Sequence, residues 1–156
     1  MSFRLIALLA LCTSPVVSSC CSMCCSSCES TATSAQELVE QVAARHSDVV
    51  RLTIHAVPAG GSEARAVAST VAEKRGKPSD PEDLKAMATA EPVVLQEGAN
   101  VDVTLPLRGA DGKPIGATGV TLANPNGLGQ AQLVERAQGI ARELESAIQA
   151  AKAPLW

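Results

Sequence analysis

His55 is the residue of this sequence whose type and position are best suited to chemistry. It lies in the middle of a predicted strand, on the face opposite Leu52 and Ile54. An imidazole gains or loses its proton near neutral pH, so His55 in a pocket could bind an anion or a metal ion or respond to pH. The alternative is a partly exposed strand histidine with a local hydrogen bond. The other histidine, His46, is expected only to end a helix.

A second set of polar residues precedes and opens a predicted short helix. Ser79, Asp80 and Asp83 fall at its N-terminus, where the helix dipole attracts anions, but the two acids already satisfy that dipole. They predict a polar pocket lid that favours a cation or a hydroxylated ligand, and the alternative is helix capping without a ligand. Ser69 lies on a neighbouring predicted strand and would line the same pocket as His55 if the hairpin register allows. Otherwise Ser69 packs within the sheet.

The chain lacks the short motifs of common enzyme classes. It contains no Gly-x-Ser-x-Gly, no His-Glu-x-x-His and no glycine-rich phosphate loop. With two histidines and no cysteine after Cys28, nucleophilic catalysis would need an arrangement that the sequence does not display. We therefore expect a protein that is not an enzyme and needs no cofactor.

All cysteines are confined to the N-terminal part of the chain, within and just after an apolar leader. The six are Cys12, Cys20, Cys21, Cys24, Cys25 and Cys28. Arg4 followed by apolar residues 5–11 predicts a secretory signal peptide over residues 1–19. Residues 17–20, Val-Ser-Ser-Cys, resemble the lipobox of bacterial lipoproteins, which implies that Cys20 carries a lipid anchor. The alternative is cleavage by ordinary signal peptidase, which would release a soluble secreted protein.

The cysteines after Cys20 form two adjacent Cys-x-x-Cys pairs. They are Cys21 with Cys24 and Cys25 with Cys28. Two such pairs can supply four thiolates to a tetrahedral metal ion, so a metal- or redox-active cluster is one interpretation. Zinc ribbons, however, separate their pairs by a longer loop. We favour the interpretation that residues 20–34 are a Ser/Cys-rich tether without metal, whose thiols oxidise locally or are acylated.

Composition and charge exclude several classes of partner. The chain has 13 Lys and Arg against 16 Asp and Glu, a formal net charge of −3, so it lacks the basic surface that binds nucleic acid. It has one Phe, one Trp and no Tyr. That excludes aromatic platforms for single-stranded nucleic acid and aromatic cages for cations. The composition indicates a soluble aliphatic domain.

Residues 35–156 carry the pattern of one folded domain. Ser34 and Glu37 form a capping box that opens a helix over about 35–46. The further elements are strands at 49–57 and 65–71, a short helix from Asp80 to before Pro92, an extended segment at 92–95, strands at 101–107 and 115–122, and a helix over about 128–151. Strands joined by tight turns form antiparallel sheets. We therefore predict an α+β fold, a PAS-like antiparallel sheet of about five strands with the N-terminal and C-terminal helices packed on it.

The spacing of apolar residues predicts which side of each element faces the core. The inward residues are Val50, Leu52, Ile54 and Ala56 on the first strand, and Leu84, Met87 and Ala88 on the short helix. Asp102 and Thr104 alternate with apolar residues, which is typical of a half-buried strand. The strand at 115–122 is apolar on both faces and is predicted to be central. All helices are expected on one face of the sheet.

Five segments of this domain resemble the extracytoplasmic PAS-like sensor modules called single Cache domains. They are VAST at 67–70, GKPSDPED at 76–83, TAEPV at 89–93, VTLPL at 103–107 and DGKPIGATGV at 111–120. The resemblance implies a small-molecule sensor in the periplasm or at the cell surface. Cache receptors continue into a signalling domain, whereas this chain stops at Trp156, so we expect it to pass its signal to a separate envelope signalling protein. A structural accessory subunit of an envelope complex is the remaining interpretation.

Overall fold

The structure, a computed structural model, describes residues 33–151 and 155–156. The helices are α1 (Ala35–Ala43), α2 (Pro81–Thr89) and α3 (Gln130–Ala151), with a 3₁₀ turn at Ala72–Lys74, and the strands are β1 (Val49–Ala56), β2 (Arg65–Ser69), β3 (Val93–Glu97), β4 (Asn100–Arg108) and β5 (Pro114–Ala123). This is the predicted order. The predicted signal peptide, Cys20 and the Cys-x-x-Cys pairs lie outside the described residues. None of the described helices combines the length and the apolar character that crossing a bilayer requires.

The five strands form one antiparallel sheet in the order β2-β1-β5-β4-β3. β5 lies at the centre, as its apolar pattern on both faces predicts. The hairpin between β4 and β5 turns at Asp111-Gly112, where Gly112 has a φ of +76° that favours glycine. The predicted α+β class and the antiparallel sheet are confirmed.

The apolar core lies between one face of the sheet and the helices α1 and α3. Alternate strand residues point to the same side of a sheet, so each strand contributes every second residue. The sheet supplies Leu52, Ile54, Val101, Val103, Leu105, Leu107, Val120 and Leu122, and the helices supply Leu38, Val39, Val42, Leu133, Ala137, Ile140 and Leu144. The N-terminal and C-terminal helices therefore pack on the sheet as predicted.

The first residues of β1 depart from the predicted alternation of buried and exposed side chains. Val50 is 50% exposed, whereas Leu52, Ile54 and Ala56 are buried. The pairing of β1 with β5 shifts between Val49 and Arg51, and such a bulge inserts one residue and changes which side chains face the core. Val49 packs against the core in place of Val50, so the prediction for Val50 was wrong.

The first helix begins as predicted and ends earlier. The Glu37 N–H donates to Ser34 Oγ at 3.2 Å, and the Ser34 N–H donates to Glu37 Oε2 at 2.8 Å, which completes the capping box. The helix ends at Ala43, so His46 lies beyond it, not in its last turn. His46 Nε2 instead lies 2.7 Å from Glu143 Oε2 of α3.

The short helix α2 lies on the other face of the sheet, which corrects the expectation that all helices share one face. It contacts β3, β4 and β5. Its buried residues are Asp83 and Ala86, while Leu84 is 48% exposed. The predicted inner face was therefore wrong. Because α2 covers the polar side of the sheet, it presents an acid to that side, and Leu84 points away.

Candidate functional site

The face of the sheet opposite the apolar core is polar and buried. The strand register makes this face continuous: Thr53 pairs with Ser69 on β2 and with Gly119 on β5, and Thr121 pairs with Asp102 on β4. The buried polar residues of this face are Thr53, His55, Ser69, Asp102, Thr104 and Thr121. Buried polar groups need hydrogen-bond partners, from the protein, from water or from a ligand.

A small chamber, here called the α2 chamber, remains between this polar face and the start of α2. It is lined by Arg51, Thr53, His55, Glu97, Asp102 and Gly119 of the sheet and by Lys74, Asp80, Glu82 and Asp83. Its volume is about 30 Å³, which holds roughly one or two water molecules. A larger ligand therefore places only one group in the chamber or displaces α2.

Asp102 is fixed at the sheet side of the chamber by three donors. Thr121 Oγ1 donates to Oδ1 at 2.6 Å, and Thr104 Oγ1 donates to Oδ2 at 3.3 Å. Arg51 Nη2 donates to Oδ1 at 3.3 Å and also reaches both carboxylate oxygens of Glu97, at 2.9 and 3.1 Å. These bonds hold the Asp102 carboxylate in one orientation, with Oδ2 receiving fewer donors than Oδ1.

His55 connects the sheet to the start of α2. Its Nδ1 is hydrogen-bonded to Ser79 Oγ at 3.1 Å and lies 3.1 Å from Asp83 Oδ2. The same Asp83 oxygen accepts the backbone N–H of Asp80 at 2.9 Å. Asp83 therefore caps α2 and lines the chamber at the same time, so the two interpretations of this acid do not exclude one another.

Burial keeps His55 and Asp83 from forming an ordinary ion pair. Their 3.1 Å separation would suit two charged partners, but burial lowers the pKa of His55 from 6.5 to about 4. Burial also raises the pKa of Asp83 from 3.8 to about 6. At neutral pH the contact therefore joins a neutral imidazole to a carboxylate.

The tautomer of this neutral imidazole follows from its neighbours. A bare Nδ1 lone pair would face the Asp83 carboxylate oxygen and repel it, so we assign the proton to Nδ1. Nε2 is then an acceptor, and no residue in the described ranges donates to it. It faces the space above Gly119, where an added Cβ atom would lie 4.0 Å from Nε2.

Ser79, His55 and Asp83 are the residue types of a catalytic triad without its geometry. In a triad the serine and the acid contact opposite ring nitrogens, so that the imidazole takes the serine proton while the acid orients it. Here both side chains lie against Nδ1. The cluster is suited to holding α2 on the sheet and to presenting Nε2 to the chamber.

Four of the five predicted ligand-binding residues meet at the α2 chamber. His55, Asp80 and Asp83 line it, and Ser79 is hydrogen-bonded to His55. Ser69 is on the same face of the sheet, but its hydroxyl is hydrogen-bonded to Thr53 Oγ1 at 2.8 Å and does not line the chamber. Ligand binding by these residues stays a prediction.

Apart from His55, the residues that the sheet contributes to the chamber were not predicted from the sequence. Asp102 and Thr104 are 5% and 1% exposed, although their alternation is typical of a half-buried strand, because α2 covers them. Arg51, Glu97 and Gly119 complete the sheet side. The signal that could have found them was the period of two in the polar residues of strands that pair with one another.

Three larger depressions lie elsewhere on the described surface. One of about 360 Å³ lies beside α3 and is lined in part by Arg108, Arg142 and Glu145. Another of about 400 Å³ lies within the loop that joins β1 to β2. A third of about 350 Å³ lies beside the end of β5 and is lined in part by Asp48 and Asn124. All three are open to solvent, and none gathers buried polar side chains. The α2 chamber is smaller but collects a buried histidine and buried acids, so it is the candidate site.

Comparison with other proteins bears on the fold. The chain matches no protein-family model, and no curated protein matches it. The second GAF domain of DevS from Mycobacterium smegmatis is similar, with a TM-score of 0.56 and 20% identity over 75% of this chain and 92% of that one. The GAF domain of an Acinetobacter phosphoenolpyruvate-protein phosphotransferase gives a TM-score of 0.51 and 19% identity, over 80% of this chain and 89% of that one.

A third solved structure agrees with these two. It is a GAF-domain protein from Burkholderia vietnamiensis, with a TM-score of 0.52 and 17% identity over 76% of this chain and 77% of that one. At identities this low, a similarity between structures is evidence for the fold alone. The three structural similarities, with the sheet order and the helices on both faces, show that this chain has the PAS-like fold of GAF domains.

Proposed function

We propose that the chain is a small-molecule-binding, sensor-like module whose ligand enters the α2 chamber. The observation that carries this proposal is the buried polar face of the sheet, with His55 and Asp102 pointing away from the apolar core. A second apolar layer would stabilise such a domain more, because burying polar groups weakens folding unless they are well paired. Natural proteins bury polar side chains where apolar ones would be more stable chiefly at functional sites.

The weak attachment of α2 supports a role as a lid. Only Asp83 and Ala86 of its nine residues are buried, so little apolar contact opposes its movement. The His55 contacts with Ser79 and Asp83 are side-chain connections between the start of α2 and the sheet. The segment before α2 is held on β2 by backbone hydrogen bonds, among them Ala66 N–H to the Lys77 carbonyl at 2.9 Å. A ligand that binds the free Nε2 of His55 would therefore change how firmly α2 is held, and such a change is a signal that a partner protein can read.

The charge of the chamber favours a cationic or a hydroxylated ligand. Five acidic side chains line it, against Arg51 and Lys74. Arg51 is already engaged by Glu97 and Asp102, and Lys74 Nζ lies 3.9 Å from Asp80 Oδ2. A small carboxylate would meet net negative charge and is disfavoured.

A thermal-shift screen of the full chain tests the binding role. Cations, polyols and small carboxylates are compared on wild type, on Asp102→Asn and on Glu135→Gln, a matched change on the exposed side of α3. A ligand at a hundredfold excess over Kd stabilises by about 2.7 kcal/mol, a shift on the order of 8–15 °C for a domain of this size. We expect the shift in wild type and Glu135→Gln and its loss in Asp102→Asn.

Two outcomes would count against this role. A shift that survives in Asp102→Asn would place the ligand outside the chamber. If no ligand of any class shifts wild type, the better interpretation is a structural accessory subunit of an envelope complex. The geometry of Ser79, His55 and Asp83 supports a module without catalytic activity of its own.

We also propose that the module is exported and anchored by a lipid on Cys20, in the periplasm or at the cell surface. The support is the apolar leader and the Val-Ser-Ser-Cys segment of the sequence. Cys20→Ala should move the protein from the membrane fraction of bacterial cells to the soluble fraction, while Cys28→Ala should not. Wild-type protein that is already soluble and begins at an unmodified Cys20 would leave the alternative, plain secretion.

The narrower kinship to single Cache domains and the transfer of a signal to a separate envelope protein belong to the same proposal. Their support is the resemblance of five sequence segments, of which 76–83 leads into α2 and 103–107 lies within β4. The rival proposal is a metal- or redox-active cluster at Cys21, Cys24, Cys25 and Cys28. Stoichiometric metal that is lost when residues 20–28 are deleted would favour the rival.

A further inference from the structure

Gly119 is a glycine that neither the backbone nor the packing requires. It lies in the central strand β5, and its φ is not among the positive values that favour glycine. An added Cβ would meet nothing closer than 3.9 Å, which is ordinary contact, whereas at Gly116 of the same strand it would meet the His55 carbonyl oxygen at 2.4 Å. A glycine inside a strand weakens the strand and often marks a place where a ligand comes close.

Three acceptor atoms surround the space that the missing side chain leaves open. From the point where a Cβ would stand, Asp102 Oδ1 and Oδ2 each lie 3.9 Å away and His55 Nε2 lies 4.0 Å away. A donor group in that space lies beside these acceptors, and it bonds to them where its donor atom comes within about 2.7–3.2 Å. The space above Gly119 is therefore shaped for one donor group.

Two of these acceptors have unused capacity. Among the described residues, Asp102 Oδ2 receives one hydrogen bond, from Thr104, and His55 Nε2 receives none. A carboxylate oxygen can accept two hydrogen bonds, and a neutral imidazole nitrogen accepts one. A ligand group with at least two donors would use both acceptors.

Charge and size narrow the choice of that group. The described lining of the chamber carries five acids against two basic side chains, and its volume of about 30 Å³ admits one group the size of a water molecule. No three acidic, histidine or cysteine side chains within the described ranges are arranged to hold a metal ion. A hydroxyl has one donor and no charge, whereas a primary ammonium has three donors and a positive charge.

The geometry points to a primary ammonium group as the part of the ligand that occupies the space above Gly119, donating to Asp102 Oδ2 and to His55 Nε2. This assignment rests on the proposed binding role of the α2 chamber. The ammonium is recognised by hydrogen bonds and charge, which agrees with the absence of aromatic residues around it. Because the chamber admits one small group, a larger amine would place only its ammonium there or would displace α2.

An NMR titration of the full chain with methylammonium chloride tests the assignment. Tetramethylammonium chloride has the same charge and no N–H donor, and potassium chloride controls for ionic strength. We expect saturable shifts of the Gly119 amide and of the His55 ring nitrogens with methylammonium alone. Asp102→Asn, which removes the charged acceptor, should weaken binding by about tenfold or more.

Two alanine variants distinguish a blocked binding site from a general effect of replacing a glycine. Gly119→Ala places a methyl group in the proposed site at ordinary contact distances, so it should fold and lose the methylammonium response. Gly139→Ala adds a methyl group on α3, where nothing lies within 4 Å, and should keep the response. If Gly119→Ala does not fold, the Asp102→Asn titration still decides the question.

The outcomes also separate this assignment from the proposed function. Equal shifts with tetramethylammonium, or a response that Gly119→Ala retains, would overturn the ammonium site. If methylammonium has no effect while a polyol or a carboxylate shifts wild type and not Asp102→Asn, the binding role stands and the ammonium assignment falls. If no ligand of any class acts on the chamber, both fall.

Discussion

His55 and Asp83 illustrate how burial can override an apparent ion pair. Burial lowers the pKa of His55 and raises the pKa of Asp83, so each group favours its neutral form. The charged form of either group loses more stabilisation by water than its partner restores. A neutral imidazole costs less to bury, and it leaves one ring nitrogen free as an acceptor. The residue that the sequence suggests as a pH-responsive group is therefore held neutral, and its role in the chamber is hydrogen bonding.

The two pKa displacements predict opposite dependences of stability on pH. In Asp83→Asn, the unfolded chain takes up a proton on His55 below pH 6.5, while the folded chain does so only near pH 4. The free energy of unfolding should then fall as the pH is lowered from about 6.5 to about 4. The size is on the order of 3 kcal/mol between neutral pH and pH 4.

The reciprocal variant should behave in the reverse sense. In His55→Gln, folded Asp83 keeps its proton up to about pH 6, while the unfolded chain loses it near 3.8. The free energy of unfolding should therefore fall as the pH rises through that window. Wild type, in which the two effects oppose each other, should vary less than either. Urea titrations at several pH values measure this, and two variants with the same slope as wild type would contradict it.

α1 and α2 have the same length but bury different kinds of residue against the sheet. Each has nine residues and an acid at the third helical position that accepts the N-cap N–H. α1 buries four apolar residues against the core, whereas α2 buries Asp83 and Ala86 against the polar face. Local stability follows buried apolar contact more than capping, so the two helices should differ in how readily they open.

Amide hydrogen exchange tests this difference with α1 as an internal control. The amides of α2 should exchange through a local opening, with an opening free energy clearly below that of α1 and of the central strand β5. A ligand in the α2 chamber should slow exchange in α2 and leave α1 unchanged. Equal protection of α1 and α2 in the free protein would argue against α2 as a lid.

At the scale of the whole molecule, the sheet separates two environments. One face carries the apolar core under α1 and α3. Arg136 of α3 also ties that helix to the loop before β1, because its side chain donates to both oxygens of Asp48 at 2.8 and 2.7 Å. The other face carries the polar chamber under α2. The side under α1 and α3 holds the apolar core, whereas α2 buries only Asp83 and Ala86 on the polar side.

The folded domain should not depend on thiol chemistry. No cysteine lies after Cys28, so reduction can release no cross-link within residues 33–156. The melting temperature of the full chain should be the same within error with and without reductant. A drop of several degrees that disappears when residues 1–32 are removed would mean that the cysteine segment docks on the domain and is not a simple tether.

The element order could be predicted because its signals are local. The capping box at Ser34 and Glu37, the helix start at Asp80 and the Asp111-Gly112 turn act over three or four residues. The central position of β5 followed from its apolar character on both faces. Local signals also predicted that Ser79, Asp80 and Asp83 lie together at the start of α2, because they are close in the chain.

The errors arose where packing between distant segments decides the outcome. The exposure of Val50 depends on a shift in pairing between β1 and β5. Leu84 points outward because the surface that α2 covers is polar, a property of residues on other strands. Asp102 was assigned to a half-buried strand because the alternation of a strand is the same whether its polar face meets water or another element.

The sequence by itself determined the elements, their caps and turns, the α+β class and the two faces of the strands, because each of these depends on residues close together in the chain. The tertiary structure alone decided that the polar face is buried, that α2 is the element that covers it, and that His55, Asp102 and Gly119 meet there. Those residues come from three strands brought together by pairing, and a chamber exists only where distant segments pack. Its chemistry therefore follows from the fold, while the fold follows from the sequence pattern.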